Sequence, residues 1–134
     1  MADSDKLLEQ ARRAAESSYC PYSRFRVGAA LLCSDGTVFT GTNVENRSYG
    51  LTNCAERSAV FSAVSAGRRD FQAIAICTPD SESAVAPCGA CRQVLSEFAG
   101  EDFPVTFAGE KQRVDTTLGQ LYPYDSLHDL RGKN

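Results

Sequence analysis

The chain has 134 residues, 43% of them hydrophobic and 23% charged, with a net charge of −3 and six cysteines. This length fits one domain with a real core, and the composition is that of a soluble globular protein. The acidic balance and the lack of any Lys/Arg run exclude the basic stripe of a nucleic-acid binder. No apolar run approaches a membrane span, and the acidic start Met1-Ala2-Asp3-Ser4-Asp5-Lys6 lacks the apolar stretch of a signal peptide. A cytoplasmic protein is expected, in which cysteines read as metal ligands or buried thiols rather than disulfides.

In chain order, Leu7, Leu8, Ala11, Ala14 and Ala15 fall on one stripe of a helix from Ser4 to about Ser18, with Asp3, Ser4 and Asp5 available as caps. Pro21, within Tyr19-Cys20-Pro21-Tyr22-Ser23, breaks it. The apolar run from Val27 to Cys33 predicts a strand buried on both faces. Ser34-Asp35-Gly36-Thr37 predicts a hairpin turn, and the returning strand runs from Val38 to about Val44, interrupted by Gly41.

A second helix, capped by Thr52 or Asn53, runs from Cys54 to about Ala66. It turns Ala55, Ala59, Val60, Ala63 and Val64 inward and stops at Gly67. A strand from Ala73 to Cys77 and a polar loop from Pro79 to Ala86 follow. A third helix starts at Pro87 or Cys88, with proline in its favoured first position, and presents Cys91, Val94, Leu95 and Phe98 before Gly100. Strands are expected from Pro104 to Phe107 and from Arg113 to Thr116, then a short helix or loop and a polar tail from Leu118 to Leu130. Helix, hairpin and β-α-β-α-β in that order predict right-handed crossovers. The expected fold is a three-layer α/β/α sandwich on a mixed, mostly parallel sheet, one domain over residues 1–134.

Two short segments carry chemistry: Cys54-Ala55-Glu56-Arg57 and Pro87-Cys88-Gly89-Ala90-Cys91. Both fall at predicted helix N-termini, where free N–H groups and the positive dipole end favour thiolates. Cys54, Cys88 and Cys91 supply three thiolate ligands with no evident fourth, the pattern of a catalytic zinc site with one open position and one ion per chain. Glu56 is placed to handle protons there. Arg57 is equally an ordinary surface arginine or a group that offsets the thiolate charge. A lone C-x-x-C also suits a redox pair or half of a structural zinc site. A redox pair needs no distant Cys-x-Glu, and a structural site wants four closed ligands. The sole histidine, His128, reads as surface, and Cys20, Cys33 and Cys77 as spare thiols. Asn43 and Glu45, two apart in extended chain, share a face, and spacing alone favours two solvated residues there.

These segments resemble the cytidine deaminases of the small homotetrameric kind. The likeness runs through Pro21-Tyr22-Ser23-Arg24-Phe25-Arg26-Val27-Gly28-Ala29-Ala30, Thr42-Asn43-Val44-Glu45-Asn46, Cys54-Ala55-Glu56-Arg57 and Pro87-Cys88-Gly89-Ala90-Cys91-Arg92-Gln93. It implies hydrolytic deamination at C4 of cytosine with Glu56 moving the protons, Phe25 against the pyrimidine, and Asn43 and Glu45 on the ribose 3′ hydroxyl. It further implies backbone contact from Ala55 to the base, Tyr49 reaching towards a neighbouring subunit, and a tetramer with shared sites. One departure stands out: relatives carry a Phe after a C-terminal Leu-Leu-Pro, whereas this chain reads Leu121-Tyr122-Pro123-Tyr124-Asp125-Ser126-Leu127, with Tyr124 or Leu127 in its place. A deaminase of another small pyrimidine, such as blasticidin S, and a non-catalytic zinc module are the alternative readings.

Overall fold

The computed structural model describes residues 3–125. Its elements are α1 (Asp3–Ala15), β1 (Gly28–Cys33), β2 (Val38–Thr42), a 3-10 turn (Tyr49–Leu51), α2 (Ala55–Ser65), β3 (Phe71–Cys77), α3 (Gly89–Phe98), β4 (Pro104–Ala108), β5 (Arg113–Thr117) and α4 (Leu118–Leu121). The strands form one five-stranded sheet in the order β2-β1-β3-β4-β5. α1 covers one face, while α2 and α3 cover the other, so the three-layer architecture holds.

The sheet is mixed as expected, but it is not mostly parallel. β1 pairs antiparallel with both β2 and β3, β4 pairs antiparallel with β5, and β3 pairs parallel with β4. The crossovers do join strands of like direction: β2, β3 and β4 all run the same way. The difference arises because β1, the first hairpin strand, sits between β2 and β3. Its run of small and apolar residues is buried on both faces and suits a central position better than an edge.

Alternation along β1 separates two cores. Ala29, Leu31 and Cys33 join Ile74, Ile76 and α2 on one side, while Ala30 meets Leu7, Ala11, Ala75 and Cys77 on the other. Both large helices approach the sheet through buried rows at i, i+4 spacing that are mostly alanine (Leu7, Ala11, Ala15 in α1; Ala55, Ala59, Ala63 in α2). A sheet glycine receives each one. A Cβ on Gly28 would stand 1.9 Å from the Ala11 carbonyl oxygen, and one on Gly41 would stand 2.3 Å from the Ala55 oxygen and 2.4 Å from the Ala59 nitrogen. Gly41 thus sets the depth at which the N-terminus of α2 lies on the sheet.

Local signals fall as expected. Gly36 has φ +90° in the hairpin, where Asp35 Oδ1 accepts from Thr37 N at 3.0 Å. Gly67 has φ +88° just past the end of α2. α1 ends sooner than predicted, at Ala15. His128 and Leu127 lie outside the described residues, as does the tail past Asp125. Among the described residues no helix is long and apolar enough to cross a membrane.

Candidate active site and metal centre

The helix starts differ from the expected ones in a way that matters chemically. α2 is capped by Cys54 rather than by Thr52 or Asn53, and α3 begins at Gly89 with Cys88 as its cap, leaving Pro87 outside the helix. Asn53 is instead occupied by a backbone bridge to Val44, and its side chain donates to Ser58 Oγ at 3.1 Å. Both cysteines have extended backbones and neither makes a side-chain capping bond. A Ser, Thr, Asp or Asn cap contributes about 1 kcal/mol to a helix. Here that contribution is forgone at both helices, and each thiol is left free at a dipole end that favours negative charge.

The three sulfurs meet. Cys54 Sγ lies 3.7 Å from Cys88 Sγ, Cys88 Sγ lies 3.3 Å from Cys91 Sγ, and the three ligand atoms are all within 4.8 Å of one another. Tetrahedral zinc with Zn–S distances of about 2.3 Å wants sulfurs about 3.8 Å apart. The donor set therefore fits zinc with only small adjustments, and three protein ligands leave one position open.

The surrounding charges suit that role. Arg57 Nη2 donates to Cys54 Sγ at 3.2 Å. The Cys54 thiol is held down to about 5 from its ordinary 9.0, first by the hydrogen bond from Cys91 and then by Arg57. Cys91, fully buried, is pushed up because it donates to Cys54 and because burial opposes its charge. Glu56 is 4% exposed, and burial raises its carboxyl above the usual range, helped by the nearby Cys54 charge.

A cavity of about 210 Å³ opens beside the cluster. Cys54, Cys88, Glu56 and Asn43 line it together with the apolar side chains of Val27, Ile76, Val85 and Ala86. Phe25, Glu45, Ala55, Tyr49, Arg57 and Cys91 are not among its lining. Asn43 is buried, and its Oδ1 accepts from Val27 N at 2.9 Å while its Nδ2 donates to the Phe25 carbonyl at 2.7 Å. Glu45 accepts from Tyr22 N at 3.0 Å, Ser23 N at 3.1 Å and Ser23 Oγ at 2.5 Å, which hold its carboxyl below the usual range. Neither residue is the freely solvated group that spacing favoured. Tyr49 is 72% exposed and stacks edge-on to Tyr22, with ring centroids 6.1 Å apart. Tyr124 is 97% exposed and is not packed over the site.

Several supporting residues escaped the sequence reading. Arg92 Nε donates to the Pro87 carbonyl at 2.7 Å and its Nη1 to the Leu121 carbonyl at 2.6 Å, so one guanidinium ties the Cys88 loop to the C-terminal segment. Tyr122 OH donates to Gln93 Oε1 at 2.5 Å on the same helix. Arg92 and Gln93 sit in the motif next to Cys91, which is the signal that could have found them. Asp80, held by Arg26, carries no such mark.

A thiolate socket at two helix N-termini, with a buried carboxylate beside it and a cavity in front, places the protein among the zinc hydrolases. Residues 1–106 match the family profile described as the cytidine and deoxycytidylate deaminase zinc-binding region. Cytidine deaminases of Sporosarcina psychrophila and Halalkalibacterium halodurans are 49% and 51% identical over 122 and 124 residues, in both cases 90% of this chain and, respectively, 89% and 92% of the relative. The crystal structure of cytidine deaminase from Burkholderia pseudomallei is similar with a TM-score of 0.87 at 47% identity, covering 92% of this chain and 98% of that one. The chain belongs to the cytidine and deoxycytidylate deaminase family and is a zinc-dependent hydrolytic deaminase.

Proposed function

We propose that this chain hydrolyses cytidine, and deoxycytidine with it, to uridine or deoxyuridine and ammonia, as a step of pyrimidine salvage in the cytoplasm. The observation that carries this reading is Glu56, a carboxylate 4% exposed, lining the same cavity as two of the three clustered thiols. Zinc held by Cys54, Cys88 and Cys91 supplies Lewis acidity towards water. Glu56 takes one proton from the attacking water and delivers it to ring N3, then takes the second from the new C4 hydroxyl and passes it to the C4 amine, which leaves as ammonia as the C4 carbonyl forms. Its raised pKa suits a group that must both accept and donate protons near neutrality.

Asn43 and Glu45 are assigned to the ribose 3′ hydroxyl. Their anchoring supports the role: after the bonds to Phe25 and Val27 Asn43 retains one amide N–H, and Glu45 Oε2 has spare acceptor capacity beyond Ser23. Both are held in place before a ligand arrives, which lowers the ordering cost of binding. Phe25 is assigned to the pyrimidine face and Ala55 to a backbone contact with the base.

The working form is a homotetramer whose sites neighbouring subunits complete, with residues 1–134 of each chain as one domain. Tyr22, Val44, Tyr49, Leu51 and Phe61 are 47%, 47%, 72%, 73% and 48% exposed, and a neighbouring subunit would cover them. The six cysteines are all free, which supports a reducing compartment. An ultraviolet assay with cytidine and deoxycytidine, run alongside a zinc count per chain, tests the reading; a zinc-loaded protein that turns over neither nucleoside would overturn it.

A further inference from the structure

Three consecutive residues before β1 are tied in alternate directions. The Phe25 carbonyl and the Val27 N–H are taken by the Asn43 side chain. Arg26, between them, faces the other way, as successive residues of an extended segment do. Its backbone N–H donates to Asp80 Oδ2 at 2.9 Å, its Nε to the same oxygen at 3.1 Å, and its Nη2 to Oδ1 at 2.7 Å. One carboxylate thus receives three bonds from one residue 54 positions away.

The two ends of this pair continue two neighbouring strands past the Gly28–Cys77 end of the β1–β3 ladder, where both chains border the cavity. Arg26 adjoins Val27, which lines it, and Phe25, assigned to the pyrimidine. Asp80 opens the loop that leaves β3 after Thr78 and reaches Cys88, and Thr78, Val85 and Ala86 on that path all line the cavity. The far side of the loop is pinned as well. Glu110 N donates to the Ser81 carbonyl at 2.7 Å, Lys111 N to the Glu82 carbonyl at 2.9 Å, and Ala84 N to Gln112 Oε1 at 2.9 Å. The loop is therefore held between the β4–β5 turn on one side and, through Asp80, Arg26 on the other.

We propose that Arg26 and Asp80 are a positioning pair for the deaminase, fixing the 79–86 loop, which carries the lining residues Val85 and Ala86, against the segment before β1 and so controlling nucleoside affinity more than the chemical step. This rests on the deaminase reading above. The pair is partly exposed, with side chains 42% and 28% accessible, so a stability role alone would be small. A bidentate fork adds geometric specificity that a point charge lacks. Displacing a wall by a fraction of an ångström loosens the fit around the base, while Glu56 and the thiols, held by α2 and α3, stay in place.

The test compares Asp80→Asn, Arg26→Leu and the double variant. The readouts are KM and kcat for cytidine, uridine affinity by calorimetry, zinc per chain, and hydrogen exchange of the amides in 24–27 and 79–86. Each single variant is expected to raise KM and weaken uridine binding on the order of tenfold, with kcat changed by less than about threefold. Zinc stays at parental content, exchange rises at Arg26 and in the 79–86 loop, and the double variant is no worse than the worse single one, as expected for two halves of one contact. Asp80→Glu, which keeps the charge, recovers part of the affinity. KM and uridine binding within twofold of the parent in both singles, or KM effects that multiply in the double variant, overturn the proposal. If the parent itself turns over no cytidine, the deaminase reading falls; parental turnover with unchanged variants sinks the pair alone.

Discussion

Arg57 donates from Nη2 to the Sγ of Cys54 across the first turn of α2, at 3.2 Å, while its Nε is buried with no hydrogen-bond partner among the described residues. An arginine kept for stability alone would not leave a buried N–H unpaired, since that costs about 1–3 kcal/mol. The side chain is instead held against a thiolate. Three thiolates around a divalent cation carry a formal net charge near −1, which blunts its pull on water; the guanidinium returns the cluster towards neutrality.

Arg57→Ala should therefore lower zinc affinity or turnover by about 10–100-fold, the usual effect of removing a partner of a ligand. Arg57→Lys should restore the charge but not the directed bond, and recover part of the loss. Zinc titration against a competing chelator and cytidine turnover, measured together, check this. Parental values in Arg57→Ala would contradict the charge argument.

The ligand set itself is open to direct removal. Cys54→Ala, Cys88→Ala and Cys91→Ala should each lose zinc, because two remaining thiolates cannot hold an ion that three position. Cys77→Ala, on the α1 face of the sheet and outside the three-sulfur cluster, should retain full zinc. Metal analysis of the four purified variants decides the assignment, and full occupancy in any of the first three would remove that cysteine from it.

Much of this was legible because it is local. The Asp35-Gly36 turn, the Gly67 stop and the alanine stripe of α2 are each written within a few residues, and so are the two thiol segments. The position of β1 was not, because a buried apolar strand pairs equally well with its hairpin partner on one edge and with a distant strand on the other. Helix caps were misplaced for a chemical reason: Thr52 and Asn53 are better caps than cysteine, and the fold gives the cap positions to two thiols of the cluster. Asn43 and Glu45 looked solvated because their partners, Val27 and Phe25 for one and Tyr22 and Ser23 for the other, are 16 to 23 residues distant. The Arg26–Asp80 pair spans still more chain and has no periodic signature.

Gly41→Ala tests whether the site depends on the depth of α2. The added Cβ would meet the Ala55 oxygen and the Ala59 nitrogen, both backbone atoms that cannot swing aside. The helix must shift outward, carrying Cys54 and Glu56 with it. Overpacking of this kind destabilises by about 1–3 kcal/mol, and turnover should fall further than stability does. Gly100→Ala, where a Cβ meets nothing within 4 Å, is the matched control and should change neither thermal midpoint nor rate appreciably.

Acid should weaken the wall clamp in a defined window. The hydrogen bond from Arg26 holds the Asp80 carboxyl below its ordinary value of 3.8. A group whose pKa is lowered on folding contributes stability that is complete above the unfolded value and is lost as pH falls through the folded one. The thermal midpoint of the parent should exceed that of Asp80→Asn at pH 6, and the gap should close as pH drops below about 4. A gap that stayed constant down to pH 2 would show that the ion pair contributes nothing to it.

Glu56→Gln separates proton transfer from every other property of the site. Gln keeps the size and the hydrogen-bonding tip, so a side chain buried to 4% exposure is replaced without a cavity, and a carboxyl that burial already disfavours is exchanged for a neutral group. The fold should hold, and the thermal midpoint should match or slightly exceed that of the parent. Zinc should stay, because the three sulfurs, not Glu56, form the cluster. Turnover should nevertheless fall by at least the roughly 10²–10⁴-fold typical of a general acid–base group, since one carboxylate serves several transfers in succession. Glu56→Asp retains the charge but withdraws it by one methylene, and should be nearly as impaired because proton transfer demands hydrogen-bond reach. Turnover of cytidine, zinc per chain and thermal midpoint should be measured for both variants beside the parent. A Glu56→Gln protein that keeps its zinc and deaminates cytidine within a few-fold of the parent would place the proton transfers on another residue.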